Sequence, residues 1–478
     1  MAMPYQYSAI REAMQSKKEE IRDRLVSLAR IPSVRGRAEM GAPYGIPCRD
    51  VLRAVEKIHR DSGYQTGLRE DRGYLLTYAG NRSGKHTIGL FAHADVVPPG
   101  GDWLFTSPFE PVEKDGFLIG RGVFDNKAGI LMALYAAKTI EELNIPLSSK
   151  LLIYTGSDEE SGMSDLKAFA DHEEMPDISL VPDNGFPVCR GERGIYRWYA
   201  VSGGTFSDDV VSVEGGSAFN AVLGSAKAVL RYSEGLEEYL ERSVPSDGLI
   251  TYAREGDNIV LSTHGITSHA ARPGDAVHGI YLISALLGGC GVLSENDRSI
   301  FREASFLTKD CYGGGFGIAS EDPDFGELTC VNGIASVTDR KLSLSFDCRY
   351  GTSFGPELVE AKVSGTLSRI GWEYILVSNS HGYQIPRESP IVRRLLKVYD
   401  DCTGTEGSES YLSAGGTYAR YLKNAFSMCD FHCPAPFDVR KGHGAAHQPD
   451  EMISLEGLLD AASILTEMIL ACDSFLDE

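Results

Sequence analysis

Gly156-Ser157-Asp158-Glu159-Glu160-Ser161-Gly162 is the stretch on which the reading of this chain turns. An apolar, β-branched run, Lys150-Leu-Leu-Ile-Tyr-Thr155, leads into it, and Met163 to Ala170 predicts a helix after it. A buried strand that ends in two adjacent glutamates must meet something cationic there, because an isolated carboxylate is costly to desolvate. Ligand sites of open α/β sheets lie at such carboxyl ends. Neighbouring carboxylates there can divide the work, one holding a metal and the other acting as base toward a water. A solvated turn is the plainer alternative, and the rest of the chain decides between the two.

Upstream, His86-Thr-Ile-Gly-Leu-Phe-Ala-His93 is too apolar to be half exposed and predicts a second buried strand. It ends in His93-Ala-Asp95, with Val96 to Gly101 as exit loop. Gly120-Arg-Gly122-Val-Phe-Asp125-Asn-Lys127-Ala-Gly129 opens a helix predicted over Ile130 to Leu143. Ile178-Ser-Leu-Val181 predicts another short strand, ending in Pro182-Asp183-Asn-Gly185. Nearer the amino terminus, Ile10, Met14, Ile21, Leu25 and Leu28 recur at helical steps and predict one amphipathic helix that Pro32 stops. Arg49 to Ser62 predicts a further helix. Strand, loop and helix alternate in this way to about residue 190. The expected fold class is therefore α/β, a mostly parallel sheet with helices on both faces. Each strand end delivers a metal-capable side chain to one rim.

A chain of 478 residues exceeds what one core holds. From about Gly194 the texture changes. Tyr196 to Val201, Asn258 to Thr263 and Lys341 to Tyr350 read as half-buried antiparallel strands, with helices predicted over Ala221 to Glu241 and Ala276 to Leu287. We expect the catalytic domain to begin over 1–193, an inserted α+β lid domain over 194–384, and the catalytic domain to resume over 385–478. In that last part Ile391 to Tyr399 and Leu455 to Cys472 predict helices.

The formal charge of -21 argues against nucleic acid and anionic membrane surfaces as partners. No eighteen apolar residues run together, and Met1 to Lys18 is polar with no signal-peptide core. With ten scattered cysteines, the reading is a reducing cytoplasm. Cys429-Asp-Phe-His432-Cys433 lacks the second ligand pair of a structural zinc site and reads as buried thiols in a strand.

The metal-capable candidates are His93, Asp125, Glu160, Asp183 and His447, with Glu159 beside them and Asp95 two residues from His93. Carboxylate and imidazole ligands without cysteine suit zinc, manganese or cobalt at a catalytic site. An odd ligand count is natural for two metals that share one bridging carboxylate. Asp95, pointing the same way as His93 along a strand, is placed to take the imidazole's other N–H and fix its tautomer.

In these residues the chain resembles the co-catalytic di-zinc metallopeptidases, the family of dipeptidase V, carnosinase, aminoacylase and carboxypeptidase G, and within it most nearly the bacterial dipeptidase V branch. His93-Ala-Asp95-Val-Val-Pro98 looks like the first ligand motif, and Gly120-Arg-Gly122 through Asp125-Asn-Lys127 like the bridging-aspartate motif. Ser157-Asp-Glu159-Glu160 matches the base-plus-ligand pair, Pro182-Asp183 the next ligand and His447-Gln-Pro-Asp-Glu451 the closing histidine motif. His443 is a rival for His447 but lacks the Asp-Glu that follows it in the motif. The resemblance implies that Asp125 bridges two divalent metals, most often Zn2+, with His93 and Asp183 completing one site and Glu160 and His447 the other. It implies Glu159 as general base and a cis peptide bond between Asp125 and Asn126. The chain departs from the common pattern at Asn126, where dipeptidase relatives usually have Asp, and at Ala128, where Gly is usual.

For the lid, His264-Gly-Ile-Thr-Ser-His269-Ala-Ala-Arg-Pro273 is similar to a segment whose histidine, His269 here, polarises the scissile carbonyl. Asn220 resembles a residue that also reaches the substrate. Arg349 resembles the group that grips its terminal carboxylate. Gly415, Gly416 and Thr417 resemble a backbone loop against which small side chains lie. Together these imply a metal-dependent dipeptidase acting on dipeptides or very short peptides with a free C-terminal carboxylate. An aminoacylase or small carboxypeptidase is the alternative on the same metals. The length of the insertion resembles dipeptidase V, in which a second lid lobe replaces a partner subunit, and implies a functional monomer. A rival from another class is a serine hydrolase, since Gly351-Thr-Ser353-Phe-Gly355 fits the nucleophile-elbow pattern.

Overall fold

A computed structural model describes residues 3–430 and 433–478. The chain forms two compact units. One comprises Met1–Gly191, Ile385–Tyr411 and Thr417–Glu478, the other Glu192–Gln384 with Leu412–Gly416.

The first unit is built on a mixed sheet. Its strands run, from one edge, Gln65–Arg69, Tyr74–Gly80, Lys150–Gly156, Thr87–His93, Ile178–Gly185, Ala425–Asp430 and Cys189–Glu192. The middle of the sheet is parallel, Thr87–His93 pairing with Lys150–Gly156 and Ile178–Gly185, and Ile178–Gly185 with Ala425–Asp430. Its edges are antiparallel. The parallel centre accounts for the continuously apolar runs, since those strands are covered on both faces. Ile88, Leu90 and Ala92 alternate onto one face, where the helices Lys127–Glu142 and Leu455–Leu476 pack. On the other face an aromatic cluster of Tyr74, Phe91, Tyr154, Phe169 and Tyr418 packs under the helix Ser164–His172. Each such ring, fully buried, contributes on the order of 2 kcal/mol through the hydrophobic effect.

The amino-terminal pattern makes two helices, Met3–Gln15 and Lys18–Ala29, rather than one. The chain turns at Ser16-Lys17, after which Ile21, Leu25 and Leu28 are buried.

The second unit is an eight-stranded sheet, antiparallel throughout, in the order Ile250–Glu255, Asn258–Thr263, Ala226–Arg231, Val210–Gly215, Thr329–Thr338, Lys341–Tyr350, Gly194–Val201, Glu373–Ser380. The helix predicted over Ala221 to Glu241 is corrected here. Ala226–Arg231 is a strand, and only Glu234–Ser243 is helical. Burial along Ala226–Arg231 alternates residue by residue, the period of a strand. Ser233 caps the helix, its side chain accepting from Leu236 N.

Candidate metal centre

The register of the parallel strands assembles the centre. His93 ends its strand directly opposite Gly156, so the loop carrying Glu159 and Glu160 starts beside the imidazole. Asp183 lies near the end of the next strand, and Asp125 precedes the helix Lys127–Glu142. His447 comes from the loop before Leu455–Leu476 in a left-handed conformation.

Asp125 stands between two imidazoles. Its Oδ1 is 3.1 Å from His93 Nε2 and its Oδ2 is 3.0 Å from His447 Nε2. On the first side, Asp183 Oδ2 lies 3.6 Å from His93 Nε2. On the second, Glu160 Oε2 lies 3.0 Å from His447 Nε2. Ligand atoms of His93, Asp125 and Glu160, and likewise of His93, Glu159 and Asp183, gather within 4.8 Å of one another. The Asp125–Asn126 peptide bond is cis. His443, the rival, is turned elsewhere, its Nδ1 lying 2.7 Å from the buried Asp450.

The electrostatics are those of acids gathered without enough donors. Burial pushes the Glu159 carboxyl well above the ordinary range; His93 offsets this in part, while Asp183, Glu160 and Asp95 add to it. Among the described residues, Glu159 Oε1 is buried with no hydrogen-bond partner. Burial and then the nearby Asp125 likewise raise Glu160. Asp125 goes the other way, because the His447 and His93 imidazoles outweigh its burial. Hydrogen bonds to Asp125 and then Glu160 push His447 up to about 11. Carboxylates and imidazoles around two faces of one aspartate, with an orphaned buried oxygen among them, fit divalent cations.

Several residues fix this arrangement. Asp95 receives the N–H groups of Glu159 at 3.2 Å and Glu160 at 3.1 Å. Toward His93 it is the Asp95 carbonyl, 3.0 Å from Nδ1, that lies nearer than its carboxylate at 3.5 Å. This backbone acceptor takes Nδ1–H and would leave Nε2 as the nitrogen offered to a cation. Asn126 donates to Asp183 Oδ1 at 2.8 Å and to Pro182 O at 2.6 Å, turning the other oxygen of Asp183 toward His93.

Glu451 was not singled out by sequence reasoning beyond its place in the closing motif, yet it braces the loop of Asp125. Its Oε1 accepts from the N–H groups of Gly122, Phe124 and Asp125 at 2.9, 3.0 and 3.1 Å, and its Oε2 from Arg121 at 2.5 Å. Lys127, also missed, is wholly buried and lowered to about 7 by that burial. Its Nζ donates to Leu28 O and Ile31 O, capping the end of the helix Lys18–Ala29. The signal for both was a charged residue one or two places from a ligand, in a stretch otherwise predicted to be buried.

In the second unit, His269 Nδ1 accepts from Ala271 N at 3.2 Å, which leaves Nε2 as the protonated donor. Partial desolvation and then the Arg349 guanidinium hold this exposed imidazole below its ordinary pKa. Asn220 O accepts from Ala270 N at 2.8 Å, joining the Asn220 segment to the His269 segment. Arg349 is buried and grips Asp347 with two nitrogens, at 2.5 and 3.1 Å, while its third reaches Ala414 O at 3.3 Å. Its fork is thus engaged within the unit, beside Arg197, which also meets Asp347, at 2.7 Å. Gly415 N donates to Ser413 Oγ and Gly416 adjoins it. Thr417, in the first unit, caps the turn Tyr418–Tyr421.

Ser353 has the hydrogen bonding of a loop-fixing group. Its hydroxyl donates to Asp322 Oδ2 at 2.6 Å, a carboxylate rather than an imidazole, and the strand before it belongs to the antiparallel sheet. His432, of the Cys429 to Cys433 cluster, lies outside the described residues.

With this geometry in view, the comparisons with known proteins agree. Dipeptidase candidates of Staphylococcus haemolyticus (strain JCSC1435) and of Bacillus subtilis (strain 168), the latter named YtjP, are each 27% identical over 96% of this chain and 98% of theirs. Among solved structures, the dipeptidase Dug1p from Saccharomyces cerevisiae matches with a TM-score of 0.59 at 14% identity, covering 99% of each chain. Human carnosine dipeptidase 1 matches at 0.56 and 13% identity, covering 98% of this chain and 100% of that one. Likeness at such identities shows the fold alone. The description "Peptidase family M20/M25/M40" matches residues 89–471, and the chain belongs to that family of peptidases.

Proposed function

We propose that this peptidase is a dipeptidase that uses two divalent cations, most often Zn2+, held by His93, Asp125, Asp183, Glu160 and His447. The observation that carries the reading is Asp125, each of whose oxygens faces a different imidazole. His93 and Asp183 would hold one cation and Glu160 and His447 the other, with an oxygen of Asp125 turned to each side. The names of the dipeptidase candidates at 27% identity support the substrate class. When bound, the cations supply Lewis acidity toward water and the peptide carbonyl.

The chain's own groups then move the protons. Glu159, whose Oε1 has no competing partner, takes the proton of the attacking water and passes it to the leaving amine. Asp95 holds the backbone of Glu159 and Glu160, keeping the base separate from the ligand next to it. His269 presents Nε2–H to the carbonyl oxygen as negative charge develops there. Asn220, Arg349, Gly415, Gly416 and Thr417 bind the remainder of the substrate, Arg349 its terminal carboxylate.

The deciding experiment compares dipeptides with N-acyl amino acids on metal-loaded protein. Faster turnover of dipeptides is expected, and faster turnover of N-acyl amino acids would make the protein an aminoacylase. A chelator should stop the reaction where a serine-directed phosphonate does not; the reverse would restore Ser353 to consideration. We further propose that the protein is a cytoplasmic monomer whose His269 serves its own chain. Among the described residues no helix is long and apolar enough to cross a membrane. Mixing inactive His269→Ala with inactive Glu159→Ala protein should recover nothing. Recovered activity would mean that the histidine acts in trans.

A further inference from the structure

The loop that carries Glu159 is held by its backbone. Four successive N–H groups are engaged: Ser157 at 2.6 Å and Asp158 at 3.0 Å donate to Asp165 Oδ2, while Glu159 and Glu160 donate to Asp95. Asp95 belongs to the metal centre already described. Asp165 does not: it lies in the first turn of Ser164–His172, fully buried, its Oδ1 accepting from Leu166 N at 2.7 Å.

A third donor reaches the same Oδ2, the hydroxyl of Tyr418 at 2.5 Å. Tyr418 is also fully buried, one residue after Thr417. Its ring stands edge-on to Tyr154 at 5.5 Å and to His93 at 6.3 Å, so packing fixes its direction. Space for the contact exists only because residue 156 is glycine. A Cβ there would lie 1.9 Å from Tyr418 Oη and 2.3 Å from Asp165 Oδ2. Strand end, helix start and the turn after Thr417 thus converge on one carboxylate oxygen.

We propose that Asp165 and Tyr418 are positioning residues for Glu159, holding the turn from which the base reaches the water. Without the Tyr418 hydroxyl, Asp165 Oδ2 keeps only the Ser157 and Asp158 N–H groups, and their acceptor loses the side-chain tie that anchors it to the turn after Thr417. The segment beyond them ends at Gly162, a flexible residue in a conformation that few side chains adopt. A base displaced by about an ångström loses much of its effect on the reaction. The same hydrogen bond links the loop that carries the base to Tyr418, the residue after Thr417. This inference rests on the assignment of Glu159 as base.

The test is a double-mutant cycle on metal-loaded protein. Tyr418→Phe, which keeps the ring and its packing, should lower kcat about tenfold with KM and bound metal unchanged, as supports of catalytic groups do. On a Glu159→Ala background the same substitution should cost nothing further in residual turnover, because the group it positions is gone. An equal fold-loss in both backgrounds would overturn the proposal, as would a loss seen in KM or in metal content. Asp165→Asn, checked for folding by circular dichroism, gives the second reading and should lower kcat at least as much. Wild-type kcat in both variants would also overturn it. Near-normal turnover of Glu159→Ala alone would instead remove the base assignment, which separates that failure from this one.

Discussion

Asp95, Asp165 and Glu451 are as deeply buried as Glu159 and lie within the same unit, yet their surroundings are opposite in kind. Each of the three receives two or more backbone N–H groups. Asp125 and Glu160 face imidazoles, and Glu159 Oε1 meets no donor among the described residues. A carboxylate saturated by N–H groups is scaffold: it completes the hydrogen bonding of loops that have no ladder of their own. One left short of donors in a buried cluster suits a cation. The distinction predicts opposite responses when an acid is removed from either set.

The largest effect is expected from taking the cations away. Dialysis against a chelator should abolish peptide hydrolysis and lower the Tm, because the front acids then face one another; readdition of zinc, manganese or cobalt should restore both. Loading should also release protons, measurable with a pH indicator, since Glu159, Glu160 and His447 all bind protons more tightly than usual without the metal. A Tm indifferent to metal would break the contrast. Next in size is Glu159→Gln. It should lower kcat by ~100-fold or more with metals bound. In the metal-free protein the same change should leave stability equal or raised, because it removes a carboxyl that burial forces to take up a proton on folding.

A third expectation concerns the scaffold. Glu451→Gln replaces an oxygen facing Arg121 with an amide donor, leaving the buried guanidinium opposed rather than paired. Breaking a buried pair from one side costs about 3–5 kcal/mol. Denaturant unfolding of the metal-free protein should show a loss of that order, the reverse of Glu159→Gln. If both substitutions move stability in the same direction, the front and back acids are not distinct.

How much of this was legible from the sequence follows from the same contrast. Three of the candidate ligands, His93, Glu160 and Asp183, announced themselves because each ends or follows an apolar strand, where a polar group needs a reason, whereas Asp125 and His447 were legible only through motifs. Parallel strands in register bring them together without further information, as His93 opposite Gly156 shows. The sheet's parallel centre was readable for that reason. The antiparallel strand Ala226–Arg231 was mistaken for helix because a short run of Ala, Val and Leu satisfies either period until its partner is known. The supports were harder to read. Asp165 looks like an ordinary first-turn helix acid, and its role depends on Tyr418, more than two hundred residues away. Glu451 braces a loop over three hundred residues upstream. Long-range hydrogen bonds to backbone leave no periodicity in the sequence.

The smallest effect tests whether a buried acid can belong to neither set. Glu467, on the helix Leu455–Leu476, is 3% exposed, and its Oε1 has no hydrogen-bond partner among the described residues. Burial alone raises it from the usual 4.5 to about 7. The folded protein therefore holds this proton more tightly than the unfolded chain does. The group's contribution to stability is fully present below about pH 4.5 and is lost as pH rises through 7. Above that pH the folded state carries a charge that its burial opposes. Glu467→Gln should consequently stabilise the protein at pH 8 by on the order of 1–3 kcal/mol, with little change near pH 4.5. A stability difference that does not vary with pH would mean that the carboxylate is solvated or paired after all. Lost stability at pH 8 would place Glu467 with Asp165 and Glu451 among the supports.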